Sequence, residues 1–341
     1  MGEHFRGQVV RFSAIAGLVL SLLAFGTPAR TIGLGSAPGL RPAAPGAVPV
    51  DTRIIVNIPA FRMDVFQDGN LIKTYKVAIG YPQFPLPIGQ RTADEIIISP
   101  TWTPPKEAWV ETRKSKVRPG ERIPAGSSLN PLGPIKIPIG LPNLIHGGKT
   151  PAQIGTFGSH GCVGLTTPQV EDFAKLLVHI SGTNVTDQQI AEAEQNKTQT
   201  QPIKLSKPIP VELRYETIEV DNGKLDIYRD VYALGTDKPD NVAAALQAYG
   251  LSPDQLSPTE RQQIMNGLSK MERDARGRPV TKTEAAPKKG TTAYVTRSII
   301  GAKQVVVPVQ ALTGKGYPAP VNLDTGQVAK APTPAHRARK R

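Results

Sequence analysis

Between Tyr81 and Pro151 a proline or glycine interrupts the chain every few residues, in PQFPLPIGQ, PTWTPP and LNPLGPIKIPIG. Proline removes a backbone donor and glycine loses the most entropy in a helix, so no ordinary helix can run through this region. The pattern permits short strands and fixed turns around a groove. The segments ahead of it agree: RIIVNI and RMDVF, then LIKTYKVAIG after Asp68-Gly69, are rich in β-branched residues and read as a strand and a hairpin. With 32 glycines, 33 prolines and only 5% aromatics in 341 residues, the expectation is a mainly β fold with one or two short helices.

The first helical pattern follows residue 166. Thr167 is the expected N-cap with Pro168 at the first helical position, and Val170, Phe173, Ala174 and Leu177 share one face. Residues 183–202 are polar and read as an inserted loop or exposed helix. VELRYETIEV and KLDIYRDVY then flank Asp221-Asn222-Gly223, and Asn-Gly is a strong two-residue turn signal. The β domain is therefore expected over 51–235. After it, Asn241–Tyr249 and Pro258–Ala275 read as a pair of helices in an accessory element at 236–278. Ser257-Pro258-Thr259-Glu260 forms its capping box, and Ile264, Leu268 and Met271 its apolar stripe. QVVVPVQAL is a last strand-like piece, returning to the sheet or standing alone.

The ends differ in kind. Arg6 and Arg11 precede FSAIAGLVLSLLAF, and the small residues Gly26 and Ala29 follow it. Residues 1–29 thus read as a signal peptide or an N-terminal anchor, with an apolar run short of the roughly 20 residues of a membrane span. A Pro/Gly/Ala linker occupies 30–50. No cysteine follows closely enough for lipoprotein attachment. The remainder is expected outside the cytoplasm, in the periplasm or cell wall, possible anchorage resting on the first segment alone.

The formal net charge of +13 is unevenly placed: from Arg276 to Arg341 thirteen Lys/Arg face two acids, Glu284 and Asp324. This basic, partly disordered C-terminal region at 279–341 can grip anionic wall polymers or a membrane surface, or serve only as a solvated terminus. Export and the lack of aromatic-basic interleaving argue against nucleic acid as a partner.

Cys162 is the only cysteine and lies in Ser159-His160-Gly161-Cys162, with His146-Gly147 sixteen positions upstream. A thiol of ordinary pKa is only slightly ionised near neutrality, and a histidine within reach can take its proton. His146 and His160 are both candidates. In an extended strand His160 and Cys162 would share a face, and the N–H groups of Gly161 and Cys162 are natural oxyanion donors. The same three side chains could ligate zinc, but no HExxH, CxxC or third carboxylate accompanies them. A cysteine among small residues is often just a small hydrophobe, yet Ser-His-Gly spends polar and flexible residues where a core wants neither.

HGG followed about a dozen residues later by SHGCVGL resembles the motif of the L,D-transpeptidase catalytic domain, the YkuD-like family of cell-wall enzymes. RIIVNIPAFRMDVFQDGNLIKTYKVAIG resembles that family's opening strands, PTWTPP and LNPLGPIKIPIG its central segments, and PIPVELRYETIEVDNGKLDIYRDVY the closing strands of its exported Gram-negative-type members. The resemblance implies a β-sandwich or barrel-like catalytic domain, with a small helical element and flexible tails outside it. It implies Cys162 as nucleophile, His146 as general base and acid, and Gly147 as the carbonyl that orients His146. His160 would support the site, Gly161 would donate an oxyanion amide, and Ser159 would support the motif. No cofactor or metal is implied.

The implied reaction is acyl transfer from a peptidoglycan tetrapeptide stem to an acceptor amine, giving a 3–3 crosslink or an anchored protein. An L,D-carboxypeptidase that uses water, and a non-catalytic wall-binding protein, are the alternatives. One position departs from the family pattern. Members commonly place Arg or Asn two residues after the cysteine, where this chain has Gly164; an Arg or Lys from another segment could substitute, and the sequence does not say which.

Overall fold

Ile54, Val56, Met63 and Val65 are completely buried, and they seat β1 (Arg53–Asn57) and β2 (Arg62–Gln67) on the core. The structure, a computed structural model, describes residues 48–111, 115–280, 299–317 and 323–324. The expected leader at 1–29, nearly all of the expected 30–50 linker and most of the basic C-terminal region lie outside the described residues.

The chain continues through β3 (Asn70–Lys76), β4 (Ile79–Gly80), β5 (Gly89–Ile98), β6 (Ile135–Pro138), β7 (Leu144–Lys149), β8 (Phe157–Ser159) and β9 (Val163–Thr166). Helices α1 (Thr167–Ile180) and α2 (Asp187–Gln195) follow, then β10 (Gln201–Arg214), β11 (Ile218–Asp221) and β12 (Lys224–Tyr228). Last come α3 (Pro239–Gln247), α4 (Pro258–Met271), β13 (Gln304–Pro308) and β14 (Leu323–Asp324). The fold is mainly β, as the punctuated sequence requires, with a curled nine-stranded sheet in the order β14-β3-β2-β1-β10-β5-β6-β7-β9. Strands β1 and β10, and β7 and β9, pair in parallel across long sequence separations.

Helix α1 covers the β6-β7-β9 end of the sheet. Val170, Phe173, Ala174 and Leu177 are completely buried, and Tyr75 meets Phe173 edge-on at 5.7 Å between ring centres. Each large side chain taken from water is worth about 2 kcal/mol, against about 1 kcal/mol for an N-cap. Packing therefore holds the helix, and the cap sets where it starts. That cap is Thr166, one residue earlier than expected, because Thr166 keeps the extended backbone of β9 and its side chain accepts from the Gln169 N–H.

A second core lies outside the nine-stranded sheet. The turn at Asn222-Gly223 joins β11 to β12, and β13 pairs beside β12, giving a three-stranded sheet. Helices α3 and α4 lay Val242, Leu246, Ile264, Leu268 and Met271 against its Ile218, Val220, Leu225, Ile227 and Val307. The approach of α4 is close: a Cβ added at Gly267 would stand 2.8 Å from Ile227 Cδ1. The hairpin and QVVVPVQAL thus join each other, whereas the preceding strand β10 belongs to the large sheet. Arg62 ties the two sheets together, donating to Asp64 on its own strand at 2.9 Å and to Glu219 on β11 at 2.6 Å.

Within the 183–202 insert, Ile190 and Ala193 of α2 are buried and Glu194 Oε1 is buried without a hydrogen-bond partner. Burial, then the neighbouring Glu171, raise the Glu194 carboxyl to about 7, with Lys175 opposing. A glutamate raised from about 4.3 in the unfolded chain holds its proton longer when folded. Its contribution is fully present below about 4.3 and is lost as pH rises to about 7. Glu194→Gln is accordingly expected to narrow the fall in melting temperature between pH 5 and pH 8. An unchanged fall in thermal denaturation scans would contradict this.

Candidate active site

Parallel pairing of β7 with β9 places Ile145 opposite Val163 and His146 opposite Gly164, across a spacing of roughly 4.8 Å between strands. On its other side β7 pairs with β6, with Lys136 opposite His146. The two halves of the motif, sixteen residues apart, therefore meet on adjacent strands. Ile145 joins the core, and alternation sends His146 to the opposite face of the sheet.

His146 is 3% exposed, and its Nδ1 lies 2.8 Å from the carbonyl oxygen of Gly147. A carbonyl only accepts, so Nδ1 carries the proton and Nε2 keeps its lone pair. Burial first, then the charge of Lys149, push the imidazole down to about 3, against smaller opposing pulls from the Gly147 and Leu132 carbonyls. The ring is neutral throughout the physiological range. Gly147 has no room for a side chain, since an added Cβ would sit 2.7 Å from Val170 Cγ1 of α1.

Cys162 is half-buried and follows Gly161, whose φ of 90° is unfavourable for any residue with a Cβ. The turn is cross-braced: Ser159 Oγ accepts from the Cys162 N–H at 3.0 Å and donates to the Cys162 carbonyl at 2.5 Å. Asn143 Nδ2 donates to the Gly161 carbonyl at 2.6 Å. The Cys162 N–H, expected as an oxyanion donor, is therefore already engaged. Gly161 N–H has no partner among the described residues and is the donor that remains. Burial raises the thiol above its ordinary range, and the Leu144 N–H and Lys149 offset this in part. At rest the thiol and the imidazole are each uncharged.

His160 does not share a strand face with Cys162. Residues 160–162 form a bend, and the positive φ at Gly161 breaks the alternation. The His160 ring instead stacks on Trp109 at 3.8 Å and 14° between planes, with Phe84 and Tyr81 edge-on at 4.7 and 5.1 Å. Trp102 stacks on Trp109 in turn, at 6.3 Å, so the Pro-rich segment after β5 walls the site with aromatic rings. Trp109, Phe84, Tyr81, Asn143 and Lys149 escaped the sequence reading. Trp102 and Phe84 lay in the Pro-rich segments, but nothing local linked either ring to His160. Among the described residues no three His, Cys, Asp or Glu side chains converge as a metal set, so His146, His160 and Cys162 do not form the zinc site their types allowed.

A buried neutral imidazole with a fixed tautomer, a thiol in the bend that leads into the neighbouring strand and a free amide suit acyl transfer through a covalent thioester. Comparison with known families agrees: residues 51–199 match the family model YkuD, described as the L,D-transpeptidase catalytic domain. Comparison with curated proteins returns no match. Among solved structures, the catalytic domain of the Enterococcus faecium L,D-transpeptidase is 15% identical, covering 49% of this chain and 100% of that one, with a TM-score of 0.32. An L,D-transpeptidase from Mycobacterium smegmatis is 14% identical, over 48% of this chain and 58% of that one, with a TM-score of 0.29. The C442S mutant of the Enterococcus faecium enzyme is 16% identical, over 48% and 50%, also at 0.29. This chain thus spans little more than half the length of the latter two.

Proposed function

We propose, from the match of residues 51–199 to the family model of the L,D-transpeptidase catalytic domain and from the geometry of the site, that this chain is a peptidoglycan L,D-transpeptidase, a cysteine acyltransferase acting outside the cytoplasm. The observation that carries the reading is His146, its Nδ1 held by the Gly147 carbonyl, one strand pairing away from the segment bearing Cys162.

His146 Nε2 takes the Cys162 proton as sulfur attacks the carbonyl carbon of the third residue, a diamino acid, in a tetrapeptide stem. The oxyanion that forms is met by the Gly161 N–H. Collapse breaks the bond to the terminal D-alanine, whose amine leaves with the proton from His146, and a thioester remains. An acceptor amine, from a second stem or a lysine of an anchored protein, attacks the thioester and gives its proton to His146. An amide forms and the thiolate recovers the proton. No cofactor or metal is needed. Ser159 and Asn143 hold the turn that carries the nucleophile, and His160 with Trp109 supports the wall beside it.

Export rests on the leader at 1–29, outside the described residues; among those described, no helix is long and apolar enough to cross a membrane. The basic C-terminal region would add an electrostatic hold on anionic wall polymers or lipid headgroups.

The test is incubation of the purified chain with tetrapeptide-bearing muropeptides. Crosslinked 3–3 dimers with release of D-alanine are expected. Tripeptides alone would make it a carboxypeptidase, and unchanged muropeptides a wall-binding protein. A carbapenem is expected to acylate Cys162, seen as a mass adduct on the intact protein, and absence of that adduct would count against the nucleophile.

A further inference from the structure

Gly164 leaves a gap beside the nucleophile, and a lysine from the neighbouring strand fills it. A Cβ built on Gly164 would stand 2.6 Å from Lys149 Cε and 2.7 Å from its Cγ, distances real atoms do not tolerate. The register between β7 and β9 shifts between His146 and Lys149, and the lysine stem crosses the β9 backbone where a longer residue at 164 would have left Cβ. The ammonium is partly buried, and no carboxylate pairs with it among the described residues. Its charge bears on two groups, the sulfur of Cys162 and the ring of His146. The remaining groups at the site are uncharged donors and acceptors, the Leu144 N–H toward the sulfur and the Gly147 and Leu132 carbonyls toward the ring. Lys136, opposite His146, has Glu95 as its own charge partner.

We propose that Lys149, threaded through the space that Gly164 leaves, is the cation that stabilises the Cys162 thiolate in this chain. A desolvated thiolate needs a compensating charge. His146 supplies one only while it holds the transferred proton, whereas Lys149 is there before and after. Burial and the thiol set the lysine itself: desolvation brings it down to about 8, and the nearby sulfur opposes that fall. The inference rests on the proposed acyl transfer for its biological meaning, but the charge coupling can be measured without any substrate.

Because Cys162 is the only cysteine, the pH dependence of its alkylation by iodoacetamide reads the thiol directly in the full chain, with Cys162→Ala as blank. Lys149→Met is expected to slow alkylation about tenfold at pH 7, where Lys149 is still charged, equivalent to moving the apparent midpoint up by about one pH unit, while Lys149→Arg stays near wild type. The direction is diagnostic. Burial is the main cause raising the thiol, so a substitution that merely loosened the site and admitted water would move the midpoint down. Gly164→Ala, whose methyl enters the path of the lysine stem, is expected to move it up as well and serves if Lys149→Met fails to fold. A midpoint that is unchanged or lower in these variants would overturn the inference while leaving the transferase reading intact. Failure of wild type to transfer in the muropeptide assay would overturn that reading while leaving the midpoint shifts in place.

Discussion

Cys162→Ala is expected to reduce D-alanine release and crosslinking by roughly 10³-fold or more, to assay background. A covalent relay cannot run without its nucleophile, and with a single cysteine in the chain no other thiol can stand in. The substitution removes one sulfur from a half-buried position, and the turn around it is held by Ser159 and Asn143 through backbone atoms of residues 161 and 162. The circular dichroism spectrum and melting temperature should therefore stay close to wild type. Loss of activity with loss of fold would leave the nucleophile undecided; full activity in the folded variant would end the mechanism.

The second large effect belongs to His146. His146→Ala is expected to lower kcat/KM by about 10²–10⁴-fold and to suppress carbapenem acylation. Its pH dependence gives a sharper test. The base must be neutral to accept the thiol proton, and burial with the Lys149 charge keeps it neutral down to about 3. Wild-type kcat/KM should consequently show no acid limb near the ordinary histidine value of about 6.5. The same shift bears on stability. The unfolded chain protonates this histidine below about 6.5 and the folded chain only near 3, so folding loses stability as pH falls through that window. An acid limb near 6.5 that vanishes in His146→Gln would show the imidazole to be solvated, contrary to its place in the fold.

Much of this was legible residue by residue. The Pro/Gly rhythm excluded helices across the centre, Asn222-Gly223 marked its hairpin, and Ser257 with Glu260 marked the start of α4, where Glu260 N–H donates to Ser257 Oγ at 3.2 Å. The order of His146, His160 and Cys162 pointed to a thiol with an imidazole partner. These signals are local, being set by φ preferences, missing donors and residues a few positions apart. His160 was misplaced on a strand face because a single positive φ at Gly161 is enough to break a two-residue alternation. The pairing of β12 with β13 was left open because Tyr228 and its partner Gln304 lie far apart along the chain, with the Arg229 N–H bonded to the Lys303 carbonyl next in line, and no local pattern encodes such a register.

Sequence alone determined which atoms can react: one sulfur, two imidazoles and the glycines that let a chain turn tightly beside them. Tertiary structure decided that His146 is buried on the strand beside the thiol while His160 stacks on Trp109, that the Ser159 hydroxyl occupies the Cys162 amide, and that Lys149 runs through the gap at Gly164. The physical reason is that proton affinity depends on desolvation and on charges a few ångströms away. Both are properties of packed space, and strand register brings into that space residues whose separation along the chain carries no trace of their contact.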